Sequence, residues 1–188
     1  AVRERHAFLT GQREDLVQAK EQLREVIARI DRESRSKFDT AFRAVQEEFA
    51  KVFTRLFGGG SARLELADPA DPLESGIEIY VQPPGKKLQN LLALSGGERA
   101  LAATALLFAI LAVRPSPFCV LDEIDAALDE HNLERFRQLL VEFSASTQFL
   151  VITHRQATME GAGCLFGETM EESGVSRLVS LKMEQIGA

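Results

Sequence analysis

Leu94-Ser95-Gly96-Gly97-Glu98 stands directly ahead of an apolar segment that reaches Val113, and the reading of these five residues decides the fold. A serine and two glycines at a helix start expose backbone N–H groups, a hydroxyl and the positive end of the helix dipole, a combination that suits a phosphate. The same residues satisfy the S-x-x-E capping box, in which Ser95 and Glu98 cap each other's backbone N–H groups and do no more than begin the helix. Both readings predict a helix from about Gly96 to Val113, with Leu101, Ala105, Phe108, Ala109 and Ala112 on its buried face. Arg114-Pro115-Ser116-Pro117 ends it, because proline cannot continue a helix.

Downstream, Phe118-Cys119-Val120-Leu121 is an unbroken apolar run followed by Asp122 and Glu123. That is the pattern of a buried parallel strand whose C-terminal edge carries a site. Asp122 can hold Mg²⁺ through oxygen, directly or through water, and Glu123 can polarise a water. An acidic pair after a strand can also be a helix cap or a surface pair. Phe149-Leu150-Val151-Ile152-Thr153 is a second apolar strand and ends in His154, thirty-one residues after Glu123. Between them a helix is predicted over His131–Phe143, capped by Asp129, so strand-helix-strand geometry brings Glu123 and His154 to one sheet edge.

At this point the residues carry a resemblance. Leu94 to Glu98 is similar to the signature motif of ATP-binding-cassette (ABC) ATPases, Asp122-Glu123 to their Walker B pair, Ala127-Leu128-Asp129 to the D-loop and His154 to the switch histidine. Pro83-Pro84-Gly85-Lys86-Lys87, Ala105 to Ile110, Pro115 to Phe118 and Asp125 to Asp129 narrow it. Over essentially its whole length the chain resembles the C-terminal head lobe of bacterial SMC (structural maintenance of chromosomes) proteins, with the adjoining end of the coiled coil.

The resemblance implies an α/β fold, the C-terminal lobe of an ABC-type, P-loop NTPase-like head. It divides the chain into a coiled-coil arm and neck over residues 1–57 and a head lobe over residues 58–188. It implies ATP and Mg²⁺, with Asp122 for the metal, Glu123 as base for the attacking water and His154 at the γ-phosphate. Ser95, Gly96, Gly97 and Glu98 would face ATP held by a second head, with Asp129 as the D-loop residue. The implied partners are the N-terminal lobe of the same protein, a second SMC head, DNA and a kleisin subunit bound near Leu165, Phe166, Val175, Leu178 and Leu181. The implied work is ATP-timed head engagement in chromosome condensation and segregation.

The remaining sequence fits this frame. Val2, Leu9, Leu16, Leu23 and Ile30 recur every seven residues, the stripe of a helix that packs on another helix. The phase then slips, and Phe38, Phe42, Val45, Phe49, Val52 and Leu56 form a bulkier seam suited to a domain surface, on a second helix or a continuation of the first. Gly58-Gly59-Gly60 stops it. Strands are predicted over Ala62–Leu66 and Gly76–Val81, joined by the turn-rich Asp68–Pro72, and a closing hairpin over Cys164–Met170 and Val175–Leu181 with Ser173-Gly174 at its turn. Lys86 and Lys87 read as a solvated loop or, alternatively, as phosphate ligands.

Charge separates along the chain: residues 1–57 carry net +2 and the rest net −8. A generic DNA contact therefore falls to the helical arm, near Arg43, Lys51 and Arg55. Cys119 and Cys164 lack metal-ligand spacing and read as buried free thiols in a reducing cytoplasm, and no membrane partner is expected. G-x-x-x-x-G-K-[ST] does not occur, so the chain cannot cradle a β-phosphate by itself. Ala1 opens in mid-heptad without methionine, as an excised C-terminal part of a longer protein would.

Two other readings share these residues. One is the head lobe of another coiled-coil ABC ATPase, RecN-like or of the zinc-hook repair type; the heptad arm argues against a transporter domain. The other treats the isolated chain as a non-catalytic module that holds kleisin and coil.

Overall fold

The structure, a computed structural model, describes residues 1–172 and 175–182. Ser173-Gly174, the expected hairpin turn, lies outside the described residues. In chain order the elements are α1 (Val2–Phe57), β1 (Ser61–Leu66), β2 (Ile77–Gln82), β3 (Gln89–Asn90), a 3-10 turn (Leu91–Ala93), α2 (Gly96–Val113), β4 (Phe118–Asp122), α3 (Glu130–Phe143), β5 (Gln148–Ile152), α4 (Gln156–Met159), β6 (Cys164–Glu172) and β7 (Val175–Lys182).

The chain divides into two compact units, residues 1–43 with 66–77 and residues 44–65 with 78–188. In the first, the heptad residues Val2, Leu9, Leu16, Leu23 and Ile30 are all exposed. Phe38 and Phe42 stack at 5.6 Å between ring centroids. The turn-rich segment is pinned internally, Asp68 N–H donating to the Ser75 hydroxyl and Ala70 N–H to the Asp68 carboxylate. Arg35 reaches it, donating to the Asp71 carboxylate at 2.8 Å.

The second unit holds the core. The seam predicted along the neck buries Phe49, Val52 and Leu56, together with Phe53. Gly58 has φ +68°, and a side chain there would run into the Arg135 guanidinium, which donates to the Leu56 carbonyl at the end of α1. Strands β1-β2-β3 form one sheet in that order, and β6 pairs antiparallel with β7.

Helix α2 is long and apolar enough to cross a membrane by composition, with mean hydropathy 1.6, but it serves as the central core helix. Phe108 is fully buried, with ring centroids 6.1 Å from Phe136, 5.0 Å from Phe143 and 5.9 Å from Phe149. One helix thereby fastens α3 and β5 together. The buried face is broader than the predicted stripe: Ala102, Thr104 and Leu111 are buried, while Ala112 is only half-buried.

Strands β4 and β5 pair in parallel, Phe118 against Gln148 through Asp122 against Ile152. The expectation that β4 is buried on both faces is corrected here. Leu121 is buried, but Phe118 and Val120 are more than half exposed, with Leu150 and Ile152 beside them on the same face. On the other face, Phe108 of α2 packs against Phe149 of β5. The buried-thiol reading is corrected too, since Cys119 is half-buried and Cys164 exposed, although burial still pushes the Cys119 thiol up.

Truncating Phe108 to Ala is expected to cost about 3–5 kcal/mol in urea unfolding, as for other fully buried phenylalanines. A loss below ~1 kcal/mol would show that the ring cluster does not hold the core.

Candidate functional site

Parallel pairing is what gathers the strand-end residues. Glu123 N–H donates to the Ile152 carbonyl at 2.9 Å, one rung beyond the strand register. Glu123 then turns with φ 48°, the one non-glycine residue with positive φ among the described residues. Such a conformation costs on the order of 1–2 kcal/mol in an L-residue. It leaves Asp122 and Glu123 exposed and sets the Glu123 carboxylate 3.8 Å from His154 Nδ1, both side chains about two-thirds exposed.

At the start of α2, Ser95 is extended (φ −61°, ψ 161°) and exposed. Its N–H and hydroxyl both donate to Glu98 Oε2, at 3.3 and 2.8 Å. Lys86 closes on the same carboxylate, 2.8 Å from Oε1, so its side chain is ion-paired instead of merely solvated. Lys86 first, then Ser95, hold the Glu98 carboxyl below the usual carboxylate range. The two glycines differ. A Cβ on Gly97 would lie 2.8 Å from the Ala127 carbonyl, whereas one on Gly96 would meet nothing within 4 Å among the described residues.

Asp129 caps α3, accepting from Asn132 N–H at 2.9 Å and from the Asn132 amide at 2.8 Å. Among the described residues no group of three or more His, Cys, Asp or Glu could hold a metal ion, and Asp122 contributes one exposed carboxylate. Of the arm cations considered for DNA, Lys51 pairs with Glu48 and Arg55 with Glu142, while Arg43 is exposed.

The hairpin residues split between two faces. Leu165 lies opposite Leu181 and Glu168 opposite Leu178, so Leu165 and Leu181 share one face while Phe166 and Leu178 share the other. Phe166 and Leu178 are the more exposed of the four. Between β5 and this hairpin runs a cleft of about 1000 Å³, lined by every residue from Gln148 to Thr153 and from Gly161 to Gly167.

With this geometry in view, the relatives are informative. The profile of the family described as RecF/RecN/SMC N terminal domain matches residues 4–177. The chain belongs to the RecF/RecN/SMC family. The chromosome partition protein Smc of Bacillus subtilis (strain 168) is 58% identical over 184 residues, which is 98% of this chain and 16% of that protein. The Smc protein of Myxococcus xanthus is 50% identical over 98% of this chain and 15% of its own length. The chain thus spans about one sixth of these relatives. Its mixed α/β fold is that of SMC head domains. It aligns with TM-score 0.82 and 42% identity to the Pyrococcus furiosus Smc head bound to the C-terminal domain of ScpA, over 98% of this chain and 46% of that one. A structure from work on ATP-driven dimerization and DNA-stimulated activation of SMC ATPases aligns at TM-score 0.72 and 42% identity, over 80% of this chain and 91% of that one.

Asp125, which enters the sequence reading only as part of a matching stretch, was given no role there. Asp125 has no exposed surface, and its Oδ2 accepts from Thr153 and Thr158. The available signal was a lone acid inside the otherwise uncharged run Ile124 to Leu128.

Two outcomes follow from the site geometry. Glu123→Gly is expected to raise stability by about 1 kcal/mol in urea unfolding by relieving the left-handed backbone; a loss of stability would count against that strain. Because the Glu98 pKa is lowered on folding, its contribution is present above the unfolded carboxylate range and is lost as pH falls through the depressed value. Lys86→Ala should move Glu98 back toward the ordinary range in an NMR titration, and an unmoved titration would remove Lys86 as the cause.

Proposed function

We propose that this chain is the C-terminal part of an SMC ATPase head, with residues 58–188 as the lobe and residues 1–57 as coiled-coil arm and neck. The observation that carries the reading is Glu123, an exposed carboxylate held in a strained backbone at the end of a parallel strand, within 4 Å of His154. Strain of this kind persists where surrounding structure imposes it, and it clusters at active sites.

In the proposed reaction a water attacks the γ-phosphorus of ATP, the bond to the β-bridging oxygen breaks, ADP departs, and Glu123 takes the water's proton. His154 orients the γ-phosphate. Asp122 fits Mg²⁺ as one carboxylate ligand, because this cation keeps several waters and otherwise binds substrate phosphates. When bound, Mg²⁺ neutralises charge on those phosphates. The phosphate loop has no counterpart in this sequence and belongs to an N-terminal lobe, for which the uncovered face of β4–β5 and the cleft beside β5 offer room.

Ser95, Gly96 and Gly97 act on the nucleotide of a second head. Support comes from Gly96: among the described residues nothing excludes a side chain there, which fits a bare backbone kept for a contact with another molecule. Each charge-assisted contact to a γ-phosphate adds about 1.5–3 kcal/mol to the engaged pair, and hydrolysis removes it. Engagement becomes a nucleotide-timed switch, with Asp129 of the D-loop at the same junction.

The Pyrococcus furiosus head is bound to the C-terminal domain of ScpA, which supports a kleisin subunit as partner; its place on this chain is the β6–β7 hairpin, where Phe166 and Leu178 are exposed. The hairpin's two faces divide four of the five candidates, so Phe166 with Leu178, or Leu165 with Leu181, forms the contact, with exposed Val175 at the turn end of β7. The work proposed for this chain is chromosome condensation and segregation through DNA entrapment, in the cytoplasm at the nucleoid; the relatives' name, chromosome partition protein, supports the chromosomal part of it.

In the full-length protein Glu123→Gln should leave ATP binding intact and slow hydrolysis by about 10²–10⁴-fold, the range for a general base; near-normal turnover would end its assignment. Ser95→Arg should keep nucleotide binding and abolish ATP-dependent dimerisation in sedimentation. The chain alone should be inactive, with turnover restored on mixing with its N-terminal lobe.

A further inference from the structure

Asp125 is a buried carboxylate that the proposed hydrolysis leaves unused. Its Oδ2 accepts the Thr153 hydroxyl at 2.6 Å and also the Thr158 hydroxyl. The Thr153 oxygen in turn accepts the Arg155 N–H at 2.9 Å. His154 lies between Thr153 and Arg155, so the residues on both sides of it belong to one hydrogen-bonded chain that ends on Asp125. Asp125 itself follows Glu123 by two residues, and the turn between them is closed by Ala126 N–H donating to the Glu123 carbonyl. A second strut runs parallel, with the Arg155 guanidinium donating to the Leu128 carbonyl and to Glu130.

Stability gives no reason for a carboxylate at this position. Burying the group is costly, its Oδ1 has no hydrogen-bond partner among the described residues, and a well-packed apolar residue at such a position is often neutral or stabilising. What the carboxylate supplies is directional: one oxygen gathers two hydroxyls from the segment that carries His154.

We propose that Asp125 is a positioning residue for ATP hydrolysis, whose buried carboxylate fixes the segment around His154 in register with Glu123. The inference rests on the roles given to Glu123 and His154 above. It adds a residue that touches neither nucleotide nor metal and acts through Thr153 on the histidine.

The test uses the full-length protein. Asp125→Ala should lower kcat by about 10–100-fold, the cost of a misplaced catalytic group, with KM for ATP within about threefold of normal. Asp125→Asn, whose amide oxygen accepts the same two hydroxyl bonds, should hold kcat within about threefold. Because Asp125 acts through the histidine, Asp125→Ala with His154→Ala should be no slower than His154→Ala alone. Normal kcat in Asp125→Ala, multiplying losses in the double variant, or an Asn variant as slow as the Ala variant would each overturn the proposal. If His154→Ala alone turns over normally, the underlying site reading fails and takes this one with it; if that variant is slow while the losses multiply, only the role of Asp125 fails. Should Asp125→Ala not fold, Thr153→Val removes one hydroxyl at constant shape, and it should lower kcat with KM retained. An unchanged kcat there would overturn the proposal equally.

Discussion

The last rung of the β4–β5 ladder, Glu123 N–H to the Ile152 carbonyl, constrains the rest of the site. Parallel pairing places both strand ends on the same side, so an acid after one and a histidine after the other meet without any long excursion of chain. The ladder does not hold itself in place. Phe108 packs its ring on Phe149 of β5, and Gly97 lets the start of the same helix close on the Ala127 carbonyl. Helix α2 thus touches a strand of the ladder with one turn and the loop after Glu123 with another.

Most element boundaries were legible because their signals are local. Ser95, Asp129 and the Pro115–Pro117 breaker act within a few residues, and α2 runs from Gly96 to Val113 as the sequence suggests. Asp129 caps α3, beginning at Glu130 instead of His131. The strand faces were harder. An apolar run such as Phe118 to Leu121 records that burial is wanted on both sides, but it does not say which chain provides the cover. The helical stripe misled for a related reason: Leu111 is buried and Ala112 only half-buried, since helix and strand partners surround more of α2 than one seam predicts.

Within the candidate site, the meeting of Glu123 with His154 was legible from the strand pattern, and the hydrogen-bond partners around them were not. Lys86 lies twelve residues from Glu98, and Thr153 and Thr158 lie twenty-eight and thirty-three residues from Asp125, separations over which no periodicity carries information. The strained backbone of Glu123 was equally out of reach. Nothing about glutamate favours φ 48°; the ladder bond to Ile152 and the tight turn to Ala126 impose it. A carboxylate at that position is a choice of chemistry over backbone comfort, which glycine would satisfy better.

The start of α2 raises a question of exchange. Ser95 already spends its N–H and hydroxyl on Glu98, so under the shared-site reading an incoming phosphate must take both donors from a carboxylate. An uncompensated loss of that kind would oppose engagement, because a charged acceptor left without partners pays its full desolvation penalty. Lys86 changes the balance. Its ammonium lies within 3 Å of both Glu98 oxygens, so the carboxylate remains partnered when Ser95 turns outward. It also offsets a negative charge that would otherwise repel the anion at the helix start. The capping box and the phosphate site are then two states of one set of donors, and the lysine lowers the cost of passing from the first to the second.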